Sequence, residues 1–164
     1  MFTGDRSGEF LYRALWEAGF ASRPESITRG DGLELRDAYI TAPVRCVPPD
    51  NKPAREEIFA CRPYLERELI IFEKACVVVV LGSIALAAYL SILRDRGSIP
   101  SCSGFPFGHG REFLPVAAGP VVLTSYHPSQ QNTSTKRLTA SMLREVFLRA
   151  RALIDEPRAQ GRRV

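Results

Sequence analysis

Cys76-Val77-Val78-Val79-Val80-Leu81-Gly82-Ser83 is the stretch on which the fold turns. Its apolar run shows no polar alternation, which is the pattern of a strand buried on both faces. Gly82-Ser83 then turns the chain straight into an Ala/Leu-rich helical stretch from Ile84 to Arg94. Upstream, Glu56 to Glu73 has a helical pattern whose end feeds into the same strand. Downstream, Val121-Val122-Leu123-Thr124-Ser125 is a second strand of the buried type, and Leu138 to Ile154 is a closing amphipathic helix. Near the start, Leu11, Leu15 and Ala18 share one helical face before Gly19 stops the helix. Ala38 to Ala42 reads as a strand ended by Pro43, and the prolines between Val47 and Pro53 make an irregular loop.

Strands alternating with helices of this length predict an α/β fold, a mainly parallel sheet with helices on both faces. In such sheets ligands bind at the carboxyl ends of the strands. Three polar loops fall there: after Ala42, at Gly82-Ser83, and after Ser125. The segment Phe2 to Ser7 is expected to join them.

The chain has 164 residues, 45% hydrophobic and 24% charged, which fits a single globular domain with a sizeable core. The expected domain is 1–155, followed by a basic tail, 156–164, expected to be disordered. No apolar run reaches the roughly 18 residues of a membrane helix, which argues against a spanning protein. Met1 to Arg6 carries no apolar signal region, so the expected location is cytoplasmic. A net charge of +4 is compatible with a polyanionic partner without requiring one. Four cysteines in a cytosolic chain are expected to be thiols rather than disulfides. Cys76 suits a core position and Cys102 a loop. Cys46 and Cys61 flank proline-rich sequence, and the pattern leaves them open between a metal-binding pair and two unpaired thiols.

The densest polar stretch is Ser125-Tyr126-His127-Pro128-Ser129-Gln130-Gln131-Asn132-Thr133. Pro128 restrains His127 to an extended conformation, so its imidazole is presented rather than left mobile. Lys136 and Arg137 follow at once and suit a phosphate backbone. By pattern alone the loop is equally a cap for the last helix. A Ser-His hydrolase is disfavoured because no Gly-x-Ser-x-Gly elbow is present. A nucleotide-binding domain lacks its Gly-x-Gly-x-x-Gly or phosphate loop. Asp5 fits a helix cap or an active-site carboxylate, and Asn51 fits a turn or an amide that reads a base edge. Phe2 fits a core position or a stacking surface for a flat ligand.

Taken together, three segments resemble the motifs of type-5 uracil-DNA glycosylases. Phe2-Thr3-Gly4-Asp5-Arg6-Ser7-Gly8 with Leu11-Tyr12 resembles the end of the first motif. Thr41-Ala42-Pro43-Val44-Arg45-Cys46-Val47-Pro48-Pro49-Asp50-Asn51-Lys52-Pro53, with Cys61-Arg62-Pro63, resembles the middle one, and Ser125 to Thr133 the last. The resemblance implies an α/β/α sandwich that hydrolyses the N-glycosidic bond of uracil in DNA, and of other deaminated bases such as hypoxanthine, as a monomer. It implies that Phe2 stacks on the flipped base, Asn51 reads its edge, Asp5 positions or activates water, and His127 donates to the base carbonyl. Ser83, Ser129, Gln130, Asn132, Lys136 and Arg137 are the expected DNA contacts. Cys46 and Cys61 match two of the four cysteine ligands of the family's [4Fe–4S] cluster.

Three features depart from the family pattern. The Gly-Leu-Ala-Pro part of the first motif, with its strand, has no counterpart, and neither has an N-terminal cysteine pair. Lys136 stands where the family usually has glycine, so loop strain or an added phosphate contact is expected there. The expectation is a chain lacking its first strand, through truncation or a start codon assigned too far downstream. Its rival function is a non-catalytic remnant that at most binds DNA.

Overall fold

A computed structural model describes residues 6–28, 30–46 and 53–156. The first helix, α1 (Arg6–Glu17), buries Leu11 and Leu15, as its spacing predicts. Gly19 ends it at φ 78°, while the Phe20 amide reaches back to the Leu15 carbonyl at 2.8 Å. A left-handed residue just past the last turn is the usual way to satisfy orphan carbonyls, and glycine adopts it without steric cost.

The next elements are α2 (Arg55–Ile71), β1 (Val77–Leu81), α3 (Ser83–Asp95), β2 (Glu112–Phe113), β3 (Val121–Ser125), α4 (Gln130–Ser134) and α5 (Ala140–Asp155). At the start of α2 the Glu57 carboxylate accepts from the Ala54 amide at 2.8 Å. Pro63 lies inside α2 and leaves the Phe59 carbonyl without its helical donor, at a position where Phe59 is 77% exposed and solvent can replace it. Thr139 caps α5 by accepting from the Met142 amide at 3.3 Å.

The sheet order is β1-β3-β2. β1 and β3 are parallel, with Val77 opposite Val121 and Leu81 opposite Ser125. β2 runs antiparallel to β3 and pairs Phe113 with Val122. The sheet is therefore mixed. Its short antiparallel member escaped the sequence reading because two residues carry no period. Among the described residues, β1 has a strand neighbour on one side only.

Alternate residues of the two central strands face opposite layers. Val77, Val79, Leu81, Val121 and Leu123 pack with α1 and α5 around Leu11, Leu143, Val146 and Phe147. Val78, Val80 and Val122 pack on the other face with Leu86, Tyr89 and Leu90 of α3. α2 lies outside α3, joined through Leu65, Ala88 and Ile92. This is the expected three-layer α/β/α arrangement. Leu11, Ile92 and Leu143 are at most 1% exposed. Burying such a side chain contributes roughly 1.5–3 kcal/mol each.

Two expectations need correction. Ala38 to Ala42 forms no strand; only an isolated bridge, Ala21 to Leu35, precedes it. Its side chains bond instead to a helix, as described below. The loop from Tyr126 to Thr135 contains the short helix α4, capped by Ser129. The expected irregular loop 47–53 lies outside the described residues except for Pro53, and of the tail only Glu156 falls within them.

Candidate active site

Parallel pairing in register brings the ends of β1 and β3 side by side, so Gly82 and the segment Tyr126-His127 are neighbours. The Gly82 amide donates to the Ser125 carbonyl at 2.8 Å, one step beyond the paired strands. Gly82 sits at φ 100°, and a Cβ there would stand 3.2 Å from Cβ of His127. Glycine is required twice over, by its backbone angle and by the closeness of the histidine.

Successive peptide groups around His127 are each held. The Tyr126 carbonyl accepts from the Ser125 hydroxyl at 3.0 Å. The His127 carbonyl accepts from Nδ2 of Asn132 at 2.9 Å. Pro128 is fully buried behind it. Ser129 accepts from the Asn132 amide at 3.4 Å, and the Asn132 carbonyl accepts from Leu138 at 3.0 Å. His127, half-buried, is thus carried on a rigid turn at the carboxyl end of the sheet.

The polar residues expected around it are distributed as follows. Ser83 is exposed on the first turn of α3 and Gln130 is exposed on α4. Lys136 is exposed with φ 57°, so a side chain occupies the left-handed region where the family's glycine would be unstrained. The Arg137 guanidinium lies over the Tyr126 ring, 4.7 Å from its centroid. Asn132 turns its amide toward the His127 backbone. Phe2, Asp5 and Asn51 lie outside the described residues.

Sequence reasoning passed over two groups, one beside the His127 turn and one on α2. His109 stacks on Tyr126 with ring centroids 5.3 Å apart. Its position between Gly108 and Gly110, as one of only two histidines in the chain, was the available signal. Glu68 is the second. It accepts from the Tyr39 hydroxyl at 2.9 Å, from the Thr41 hydroxyl and from the Arg45 guanidinium, although it lies on a helix and is 8% exposed. A carboxylate beside Leu65 and Leu69 on the apolar stripe of α2 was its signature. These bonds tie the segment leading to Cys46 down to α2, and they hold the Tyr39 phenol above its ordinary pKa, the Glu68 hydrogen bond first and burial second.

Cys46 and Cys61 lie close together. The Arg45 amide donates to Sγ of Cys61 at 3.4 Å, and Sγ of Cys46 is 3.6 Å from the Glu57 carboxylate. Desolvation first, and then the charge of Glu57, raise the Cys46 thiol above its ordinary pKa. The two sulfurs suit part of a thiolate ligand set. Among the described residues, however, no group of three or more His, Cys, Asp or Glu side chains could hold a metal ion. Cys76 precedes β1 and Cys102 packs beside the α3 layer. The described residues thus bring together two of the four thiolates that a [4Fe–4S] cluster needs.

The arrangement is an α/β/α domain with the His127 turn held at the carboxyl end of its parallel strands. The sequence profile of the Uracil DNA glycosylase superfamily matches residues 1–151. The chain is 48% identical over 152 residues to a type-5 uracil-DNA glycosylase of Thermus thermophilus, covering 93% of this chain and 66% of the relative. It is 42% identical to a type-5 uracil-DNA glycosylase of Pyrobaculum aerophilum, covering 93% and 63%. A type-4 uracil-DNA glycosylase of Sulfurisphaera tokodaii is 30% identical over 132 residues, 77% of this chain and 56% of that protein. The chain belongs to the uracil DNA glycosylase superfamily. It spans less than two thirds of the length of these relatives.

Proposed function

We propose that this chain carries the active centre of a uracil-DNA glycosylase, which hydrolyses the bond between uracil and deoxyribose as the first step of base-excision repair. The observation that carries the reading is His127, fixed by the Gly82 surface and the Asn132 amide at the carboxyl ends of β1 and β3. Cleavage of the N-glycosidic bond leaves electron density on the base and positive charge on the sugar, to which water then adds. A donor held where negative charge grows stabilises the transition state more than the ground state. His127 is that donor, aimed at the base carbonyl. Asp5 attends the sugar and water, Asn51 reads the base edge and Phe2 stacks on it, by likeness to the family's motifs.

The base must leave the duplex stack first, at a cost of a few kcal/mol that is smallest for a mispaired base. Ser83, Gln130, Lys136 and Arg137, all exposed, together with Ser129 and Asn132, would offset that cost through contacts with the phosphate backbone. Hypoxanthine is a second substrate of the same class. Cys46 and Cys61 would supply two thiolates to the family's cluster. The enzyme acts on DNA as a cytoplasmic monomer; among the described residues no helix is long and apolar enough to cross a membrane.

The test is direct. The purified chain is incubated with a duplex containing one uracil, and abasic sites are revealed by alkaline strand cleavage. Excision is expected, falling about a hundredfold in His127→Ala. Excision that is indifferent to that substitution refutes the assignment. Duplex binding without excision supports the non-catalytic remnant instead.

A further inference from the structure

We propose that His109 is a positioning residue for the His127 loop, its imidazole Nδ1 holding the Tyr126 amide and so aiming the adjacent histidine, a role that rests on the glycosylase reading above. The Tyr126 N–H donates to Nδ1 of His109 at 3.3 Å. On the other side of the same peptide, the Ser125 carbonyl accepts from the Gly82 amide at 2.8 Å. The β2–β3 strand pairing ends at Glu112 and Leu123 and is prolonged by the Gly110 and Arg111 bonds to Thr124, so beyond them, on the edge of β3 away from β1, an imidazole takes the place of a strand partner. The Ser125 hydroxyl is also 3.4 Å from Nδ1, but its proton goes to the Tyr126 carbonyl, which leaves the Tyr126 amide as the donor.

His109 is itself immobilised. The Gly110 amide donates to the Thr124 carbonyl at 2.8 Å, and the Arg111 amide to the Thr124 hydroxyl at 3.1 Å. That hydroxyl donates in turn to the Gly108 carbonyl, and Thr124 is completely buried. The His109 ring lies at 28° to the Tyr126 ring and also bonds the Met142 backbone. A short, stiff path thus runs from the core of β3 through His109 to the peptide before His127. Misplacement of a catalytic group by about 1 Å can cost a hundredfold in rate.

The arrangement demands a neutral imidazole, because a protonated Nδ1 would set one donor against another. Burial lowers the His109 pKa below its ordinary 6.5, against the opposing pull of the Glu145 carboxylate and the Met142 bond. Glu112 of β2 and Arg149 of α5 line the cavity of about 360 Å³ beside it, and they are paired with each other at 2.9 Å. Arg111 follows it in its own loop, and Arg137 covers Tyr126.

The experiment uses the full ¹⁵N-labelled chain, observed by NMR across pH. His109 is expected to titrate below 6.5, with the Tyr126 amide and the His127 ring shifting at the same midpoint. In His109→Leu, hydrogen exchange at the Tyr126 amide accelerates at least tenfold, about 1.4 kcal/mol. In His109→Asn, whose Oδ1 can stand in for Nδ1, protection is kept. Tyr126 and His127 signals that ignore the His109 titration overturn the proposal, and so does unchanged exchange in His109→Leu. These readouts need no excision, so they stand or fall separately from the glycosylase reading. In excision assays, His109→Leu lowers kcat about tenfold at constant KM and His109→Asn restores it; a loss confined to KM contradicts the positioning role.

Discussion

The turn bearing His127 and the segment bearing Cys46 both carry motif residues, and the molecule holds them by different means. The first hangs from paired strands. Backbone bonds from Gly82, side chains from His109, Ser125 and Asn132, and the buried Pro128 fix successive peptides, and the strands beneath are covered on both faces. The second has no strand and is tied to α2 chiefly through Glu68. Around it Tyr39 is 55% and Tyr64 53% exposed. Apolar burial and a peptide ladder are insensitive to ions, whereas an ion pair with an arginine 44% exposed is screened by salt. His127 is thus carried on the more rigidly held of the two supports.

Breaking the support of the first region is expected to have the largest effect. Leu143 is completely buried beneath β3, and Leu143→Ala should destabilise the chain by about 3 kcal/mol in urea unfolding. A loss below about 1 kcal/mol would mean that this layer is loosely packed. Gly82→Ala comes next. Its φ of 100° excludes a side chain, and the new Cβ meets His127 at 3.2 Å. The expected cost is about 2 kcal/mol, with at least a tenfold fall in excision measured on a single-uracil duplex.

Glu68→Ala probes the second region. It removes three hydrogen bonds whose donors can partly return to water, so about 1.5 kcal/mol of stability should go. The Glu68 contribution should shrink on raising salt from 0.05 to 1 M (about one Debye-length regime to another), while that of Leu143 does not. Equal salt dependence would erase the contrast. The smallest change is a gain. Lys136→Gly relieves a left-handed backbone at φ 57° and should raise the thermal midpoint by an amount matching about 1 kcal/mol. A fall in duplex affinity in the same variant would show that the lysine also holds phosphate.

Much of this was legible beforehand. The runs Val77–Leu81 and Val121–Ser125 announce buried strands because their apolar residues are contiguous and flanked by turn formers. The four longer helices declared themselves by period, α4 did not, and the three motifs pointed to the family. Ala38 to Ala42 misled because alternating side chains suit an extended segment whether or not a neighbouring strand exists. β2 was too short to show any period. Glu68 and His109 were missed for a common reason: each acts through partners 16 to 29 positions away in sequence.

By itself the sequence determined the layers of the fold and the family to which the chain belongs, because apolar periodicity and motif order are properties of the chain. Only the tertiary structure decided that Gly82 abuts His127, that an imidazole from a glycine-flanked turn takes over where the strand pairing ends, and that one carboxylate gathers Tyr39, Thr41 and Arg45. Contacts of that kind depend on strand register and on which faces of helices meet. Those are settled by packing the whole core at once, and no local pattern encodes them.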